Sequence, residues 1–428
     1  MNIVRRQAPR MALLVAKRAS RHRRAASLRL SSWRSKYLCN DWSYFMNERR
    51  HAVPLAFALC VITAGVNLQA PLYATYARID GVGVMATTIA FSFYVAGVLP
   101  ILLALGGLSD RIGRRRVMLI ALLLSASGTG LMLAYPHIPA LALARFVLGA
   151  GTALMSATAT AYMMELIGSE DTSGAANWVT ASTSIGFGLG PALTSACLMF
   201  QETVHPPSFA LHLAATALAV CLVWRLPETA SRRAGAPASM LRLPCFTRKG
   251  LWYGSAILLC WATTGLVISI LPSALATHGL SMYSGLSTML AISCGLLFQP
   301  MARRLEPGRS TRIGLLILLP AYAMLAWGAW SGTLVAVLAG SLLASSACYG
   351  FVYLGGLAGT AKAAAAPERT RASAAYFLMA YIGFSVPVVF TGLIADHYGM
   401  PIALLAFGIL LLAGTAMLLP TGRRPAKC

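Results

Sequence analysis

Residues 106–118 read Gly106-Gly107-Leu108-Ser109-Asp110-Arg111-Ile112-Gly113-Arg114-Arg115-Arg116-Val117-Met118, a charged, glycine-punctuated loop between two long apolar runs. Five charges in thirteen residues stand out in a chain of 428 residues that is 57% hydrophobic and 11% charged. A soluble protein of this length needs far more charge to cover its surface. Outward from the loop, apolar runs of about twenty residues recur in both directions, the length that crosses a hydrocarbon core as helix. The mean hydropathy of +0.69 agrees. Together these features predict an all-α membrane protein.

The formal net charge of +23 looks at first like a nucleic-acid footprint, but its distribution follows membrane topology. Thirteen Lys/Arg lie in residues 1–50, four at 111–116, six at 225–249, four at 303–312, three at 362–371 and three at 423–427; only Arg78 and Arg145 fall elsewhere. Every cluster falls on one side if the N-terminus is cytoplasmic and the chain crosses twelve times, as the positive-inside rule requires. The predicted spans are 52–76, 84–105, 116–135, 139–163, 175–200 and 209–226, then 250–271, 283–301, 312–330, 333–356, 372–394 and 400–420. The expected organisation is a basic extension (1–50), six helices (51–226), a linker (227–249), six more helices (250–420) and a tail (421–428). Pro227, Pro237 and Pro244 mark the linker. The extension reads as a targeting segment, a surface-lying basic helix, a disordered tail, or a stretch preceding a true start at Met46. A disordered or wrongly included segment is favoured. Nine scattered cysteines form no ligand spacing with histidine, so neither metal nor cofactor is expected.

The 106–118 block resembles the signature loop between the second and third helices of the major facilitator superfamily. The resemblance implies two six-helix bundles that move a small-molecule substrate across the lipid bilayer, acting as a monomer with no nucleic-acid partner. It further implies that Gly106 and Gly113 permit tight turns and that Asp110 and the cations Arg111, Arg114 and Arg115 form a charge relay. Asp110 would face the start of the eleventh helix, near Ala372, in the outward-open state. Glu165 is the expected partner of Arg114. The alternative reading makes the arginines simple positive-inside anchors.

Three further stretches are similar to family patterns. Arg145, in Leu141-Ala142-Leu143-Ala144-Arg145-Phe146-Val147-Leu148-Gly149, matches a fourth-helix pattern except that Leu148 replaces a frequent glutamine. An arginine at membrane depth costs about 2.5–3.5 kcal/mol on insertion scales, so Arg145 either faces protein, with a coupling role, or snorkels to the interface. Gly186-Phe187-Gly188-Leu189-Gly190-Pro191 resembles the antiporter-associated bend of the fifth helix, in which Pro191 frees a carbonyl. The glycines expected after that bend are Thr194 and Ser195. Asn67 and Gln69 in the first helix line a cavity or glue helices together. Trp261, Tyr349, Tyr353 and Tyr381 complete the candidate cavity. A block on the opposite side, Gly392-Leu393-Ile394-Ala395-Asp396-His397-Tyr398-Gly399, echoes the signature without its arginines.

None of the twelve acids sits in the middle of a predicted span. Either coupling runs through Asp110, Glu165 and Arg145, or the protein is not a standard proton antiporter; the fifth-helix resemblance favours proton-coupled efflux of amphiphilic, drug-like compounds from an inner membrane. Proton-coupled uptake of a metabolite is the alternative. A polytopic membrane enzyme is remote, because no paired His or carboxylate motif is present.

Overall fold

The computed structural model describes residues 50–167, 172–229 and 244–421. A chain crossing hydrocarbon must satisfy every backbone N–H and C=O internally, and helices do so span by span. Twelve helices are long and apolar enough to cross, and the described residues contain no strand. They are α1 (Arg50–Asp80), α2 (Val84–Ala104), α3 (Arg114–Ala134), α4 (Ile138–Ile167), α5 (Gly174–Phe200) and α6 (Pro207–Trp224). The second six are α7 (Arg248–Ser269), α8 (Ser281–Arg303), α9 (Pro307–Ser331), α10 (Leu334–Ala363), α11 (Ala366–Tyr398) and α12 (Met400–Pro420). All twelve predicted spans are present. Several run past their apolar stretch, most visibly α10 and α11, because helical hydrogen bonding continues into polar sequence. The expected extension 1–50 (beyond Arg50), most of the linker and the tail lie outside the described residues.

Between helices in lipid no hydrophobic force acts, so close backbone approach carries the packing. A methyl on Gly186 would collide with the carbonyl of Cys60, and one on Gly190 with that of Ala64, so α5 lies directly on α1. Six spans later the device recurs, Gly383 of α11 lying on the carbonyl of Leu258 in α7. Gly97 and Gly149 likewise lock α2 to α4 against the carbonyls of Phe146 and Tyr94. The internal repeat is thus plainer in packing than in letters. Contact between the first six and last six helices runs chiefly along two seams, α2 with α11 and α5 with α8.

Several helices are interrupted. In α1 the regular helix gives way at 68–69 to a tight turn over Ala70–Leu72, and resumes at Tyr73. Pro71 supplies the local cause. In α8 a tighter helix covers Cys294–Phe298, and in α10 a widened π-type stretch covers Ser346–Val352.

Candidate functional site

The helix ends that carry the 106–118 loop share one face with Arg225, Arg248, Arg303 and Lys362, here termed the basic face. On it, Arg114 is the hub. Its Nη2 lies 2.6 Å from Asp110 Oδ1 and 3.2 Å from Glu165 Oε1, and its Nη1 donates to Ser109 Oγ at 2.6 Å. The expected Arg114–Glu165 pairing is present. Thr229 Oγ1 donates to the same Glu165 carboxylate at 2.5 Å. Of the two signature glycines, only Gly113 takes a left-handed backbone, with φ of 108°; a methyl there would also strike the Glu228 carboxylate. Gly106 is buried in the turn without positive φ.

Glu228 was not anticipated from sequence. It accepts the Arg114 backbone N–H at 2.7 Å and so caps α3, where four N–H groups lack helical partners. Arg115 reaches the other way, donating to the carbonyls of Trp224 and Leu226 at 3.2 and 3.3 Å, which closes the end of α6. Its position after Leu226-Pro227, where a helix must stop, is the signal that could have singled Glu228 out. Arg111 is exposed. Asp110 is engaged by Arg114 and remains 46% exposed, with no hydrogen bond to α11 near Ala372.

Deeper in the protein, Arg145 is 0% exposed, so the snorkelling alternative does not hold. Its Nη1 donates to Val66 O at 2.6 Å and approaches Asn67 Oδ1 at 3.4 Å, while its guanidinium stacks 4.6 Å from the Phe91 ring and 4.9 Å from the Tyr94 ring. Val66 O lies just before the interruption of α1, and Gln69 Nε2 donates to it as well at 3.2 Å. Arg145 and Gln69 thus satisfy the backbone that the break leaves open. Asn67 Nδ2 donates to Phe187 O at 3.3 Å, the carbonyl that Pro191 cannot bond four residues on. The interruption of α1, the arginine of α4 and the bend of α5 therefore meet at Asn67.

A cavity of about 400 Å³ lies between the two halves of the chain. Of the candidate residues, Asn67, Trp261, Tyr349, Tyr353 and Tyr381 line it and Gln69 does not. The lining follows the basic-face ends of α4, α5, α10 and α11, where Ser156, Thr160 and Ala176 are exposed. Toward the other face the seams close. Phe91 and Phe384 pack with ring centroids 4.7 Å apart and Ser195 Oγ accepts the Gly285 N–H at 2.9 Å, while at mid-depth Ser293 Oγ donates to Ser184 O at 2.6 Å. Asp396 of α11 accepts the Val84 and Met85 N–H groups at 2.7 and 2.9 Å, capping α2 across the seam. On the basic face the α5–α8 seam carries a bond from Arg303 Nη2 to Asn177 Oδ1 at 2.9 Å.

Sequence reasoning also passed over His212, which among the described residues is the one histidine set well inside a span. It is 5% exposed and joins three helices, with Nε2 3.0 Å from Val61 O and Nδ1 3.0 Å from Thr129 Oγ1. The pairing fits a neutral ring whose Nε2–H donates and whose Nδ1 accepts.

The sequence profile described as Major Facilitator Superfamily matches residues 55–386. No match is found among curated protein sequences. Among solved structures, the chain is similar to a D323A mutant of the nucleoside transporter NupG (TM-score 0.74, 13% identity, 87% of this chain and 100% of that one). It is also similar to a bacterial homolog of the human lysosomal transporter Spinster, in an inward-facing and unoccupied conformation (0.65, 12%, 88% and 97%). The human organic anion transporter MFSD10 gives 0.59 at 19% identity, over 87% of this chain and 99% of that one. At these identities the likeness is one of fold.

Proposed function

The chain belongs to the Major Facilitator Superfamily and is an integral multi-pass membrane protein with the family's transporter fold; on that premise we propose that it exports small amphiphilic molecules in exchange for protons. The observation that carries the reading is a cavity walled by both halves, with exposed lining toward the basic face and seam contacts toward the other. Alternating access needs such a site, with the two halves rocking about it. The basic face is then cytoplasmic by the positive-inside rule, with the start of α1 and the end of α12 on it, and an inner membrane is the proposed location. The described arrangement is inward-facing, and Asp110, held by Arg114, is the latch in its released state.

Export is supported by the bend of α5, whose three glycines divide their work. Gly186 and Gly190 seat on α1, and Gly188 seats on Met289 and Ser293 of α8. A helix that seals against both halves at once suits a protein that must block leakage while it exchanges cargo. With no carboxylate lining the cavity, protons would pass through Asp110 and Glu165 at the rim. Everted vesicles energised to an inside-acid gradient test the proposal: an exported compound should discharge the gradient, and Asp110→Asn should abolish that response. Solute movement with no pH response to any compound removes the antiport reading, and discharge in the reverse configuration would establish uptake.

A further inference from the structure

The cavity walls differ in kind, and the difference identifies a substrate class. The second half of the chain supplies an aromatic wall: Trp261, Tyr349, Tyr353, Phe377, Tyr381 and Phe384. These rings form a continuous chain of contacts, Trp261 meeting Tyr381 edge-on at 5.3 Å and Tyr349 at 6.4 Å, with Tyr353 touching both Tyr349 and Phe377. Facing them, the first half supplies small hydroxyls from α4 and α5, among them Ser156, Thr160, Thr180 and Ser184. Serine and threonine in helices usually satisfy themselves on a carbonyl one turn back. Neighbouring Thr152 and Thr183 do so, bonding Leu148 O and Val179 O at 2.8 Å. Ser156, Thr160, Thr180 and Ser184 make no such side-chain bond, which leaves their donors and acceptors open to the cavity. Trp261 Nε1–H also has no partner.

Among the described residues lining this space none is charged. A ligand bringing a full charge would lose its hydration with nothing of opposite sign to replace it. Arg145 lies behind the cavity-lining Tyr94 ring, 4.9 Å from its centroid. Among the described residues no ion pair neutralises it. Its field reaches the cavity across one ring and is positive. An aromatic wall can attract cations, but the Tyr94 ring that meets it at Tyr381 is already stacked on a guanidinium, whose positive charge opposes a second cation.

We infer that the cavity takes an uncharged molecule with a flat aromatic face and a hydroxyl- or amide-bearing edge, and that it discriminates against ammonium-bearing analogues more strongly than against carboxylate-bearing ones. The ring lies on the Trp261–Tyr353 wall and the polar edge meets the α4 and α5 hydroxyls. The inference rests on the reading of this cavity as the substrate site.

Three probes on one ring test it: indole-3-ethanol (uncharged), indole-3-acetate (anionic) and tryptamine (cationic), titrated by calorimetry into the full chain in nanodiscs, with empty nanodiscs subtracted. The alcohol should bind at least roughly ten-fold more tightly than tryptamine, with the acetate between them. Ser156→Trp, which fills the cavity from an exposed position, should abolish binding of the alcohol. Tryptamine binding as tightly as the alcohol, or no measurable binding of the alcohol, overturns the inference. Alcohol binding that survives Ser156→Trp puts the ligand elsewhere and overturns it too. The expected order of binding with no transported solute would instead overturn only the transport reading.

Discussion

Asp396→Ala is expected to loosen the closure of the face opposite the basic loops. The Asp396 carboxylate holds two N–H groups of α2 at 2.7 and 2.9 Å, and these groups carry the partial positive charge of the helix start. Sheltered hydrogen bonds to a charged group contribute about 1.5–3 kcal/mol. The exposed setting of Asp396 brings each down to about 1 kcal/mol or less. Losing both weakens closure by about 1–2 kcal/mol, which multiplies the ratio of open to closed molecules roughly five- to thirty-fold. Spin labels at positions 205 and 331, in a cysteine-depleted background, report this ratio through pulsed electron paramagnetic resonance distances. Asp396→Asn, which keeps an acceptor oxygen and loses the charge, should fall between wild type and alanine. A ratio for Asp396→Ala within two-fold of wild type would refute the reasoning.

Asn67→Leu removes partners from Phe187 O and Arg145 Nη1 together and should cost about 1–3 kcal/mol of stability, seen as a lower thermal midpoint in detergent; an unchanged midpoint would show that the two groups find other partners. Gly188→Ala drives a methyl into Met289 and Ser293, so it should widen the α5–α8 seam and raise the open population in the same distance measurement, whereas a distribution like wild type would show that the seam yields without opening. Glu228→Gln should weaken the cap on α3 by about 1 kcal/mol, and hydrogen exchange at the amides of Arg114 and Arg115 should quicken about five-fold; equal exchange would remove Glu228 from that role. Asp110→Asn should leave insertion into the membrane intact and abolish turnover, and full transport by this variant would exclude Asp110 from the cycle.

The spans were legible because membrane crossing imposes one crude requirement, about twenty apolar residues, that each segment meets alone. The Arg114–Glu165 pair was legible because the signature loop fixes where α3 begins. What escaped the sequence is non-local or backbone-borne. The widened stretch at Ser346–Val352 has no proline to announce it, and apolar letters read alike in either helix type. Asp396 looked like an echo of the signature, since nothing in its neighbours reveals that the start of α2 lies across from it. Glu228 and His212 act through backbone groups more than one hundred residues away in the chain, namely Arg114 N and Val61 O. The aromatic wall is assembled from α7, α10 and α11, so no window of sequence contains it.

The break in α1 has a mechanical meaning. Its outer piece is fastened to α4 at its far end, where Asp80 Oδ2 accepts the Ile138 N–H at 2.6 Å, while Arg145 of α4 holds Val66 O just before the break. The inner piece lies instead along α5, on Gly186 and Gly190. What hydropathy reads as one rod is two levers with different owners, joined by a few residues around Pro71. Torsion at that joint would let α4 and α5 turn by different amounts, and Asn67, bonded to Arg145 of α4 and to Phe187 O of α5, lines the cavity beside that pivot.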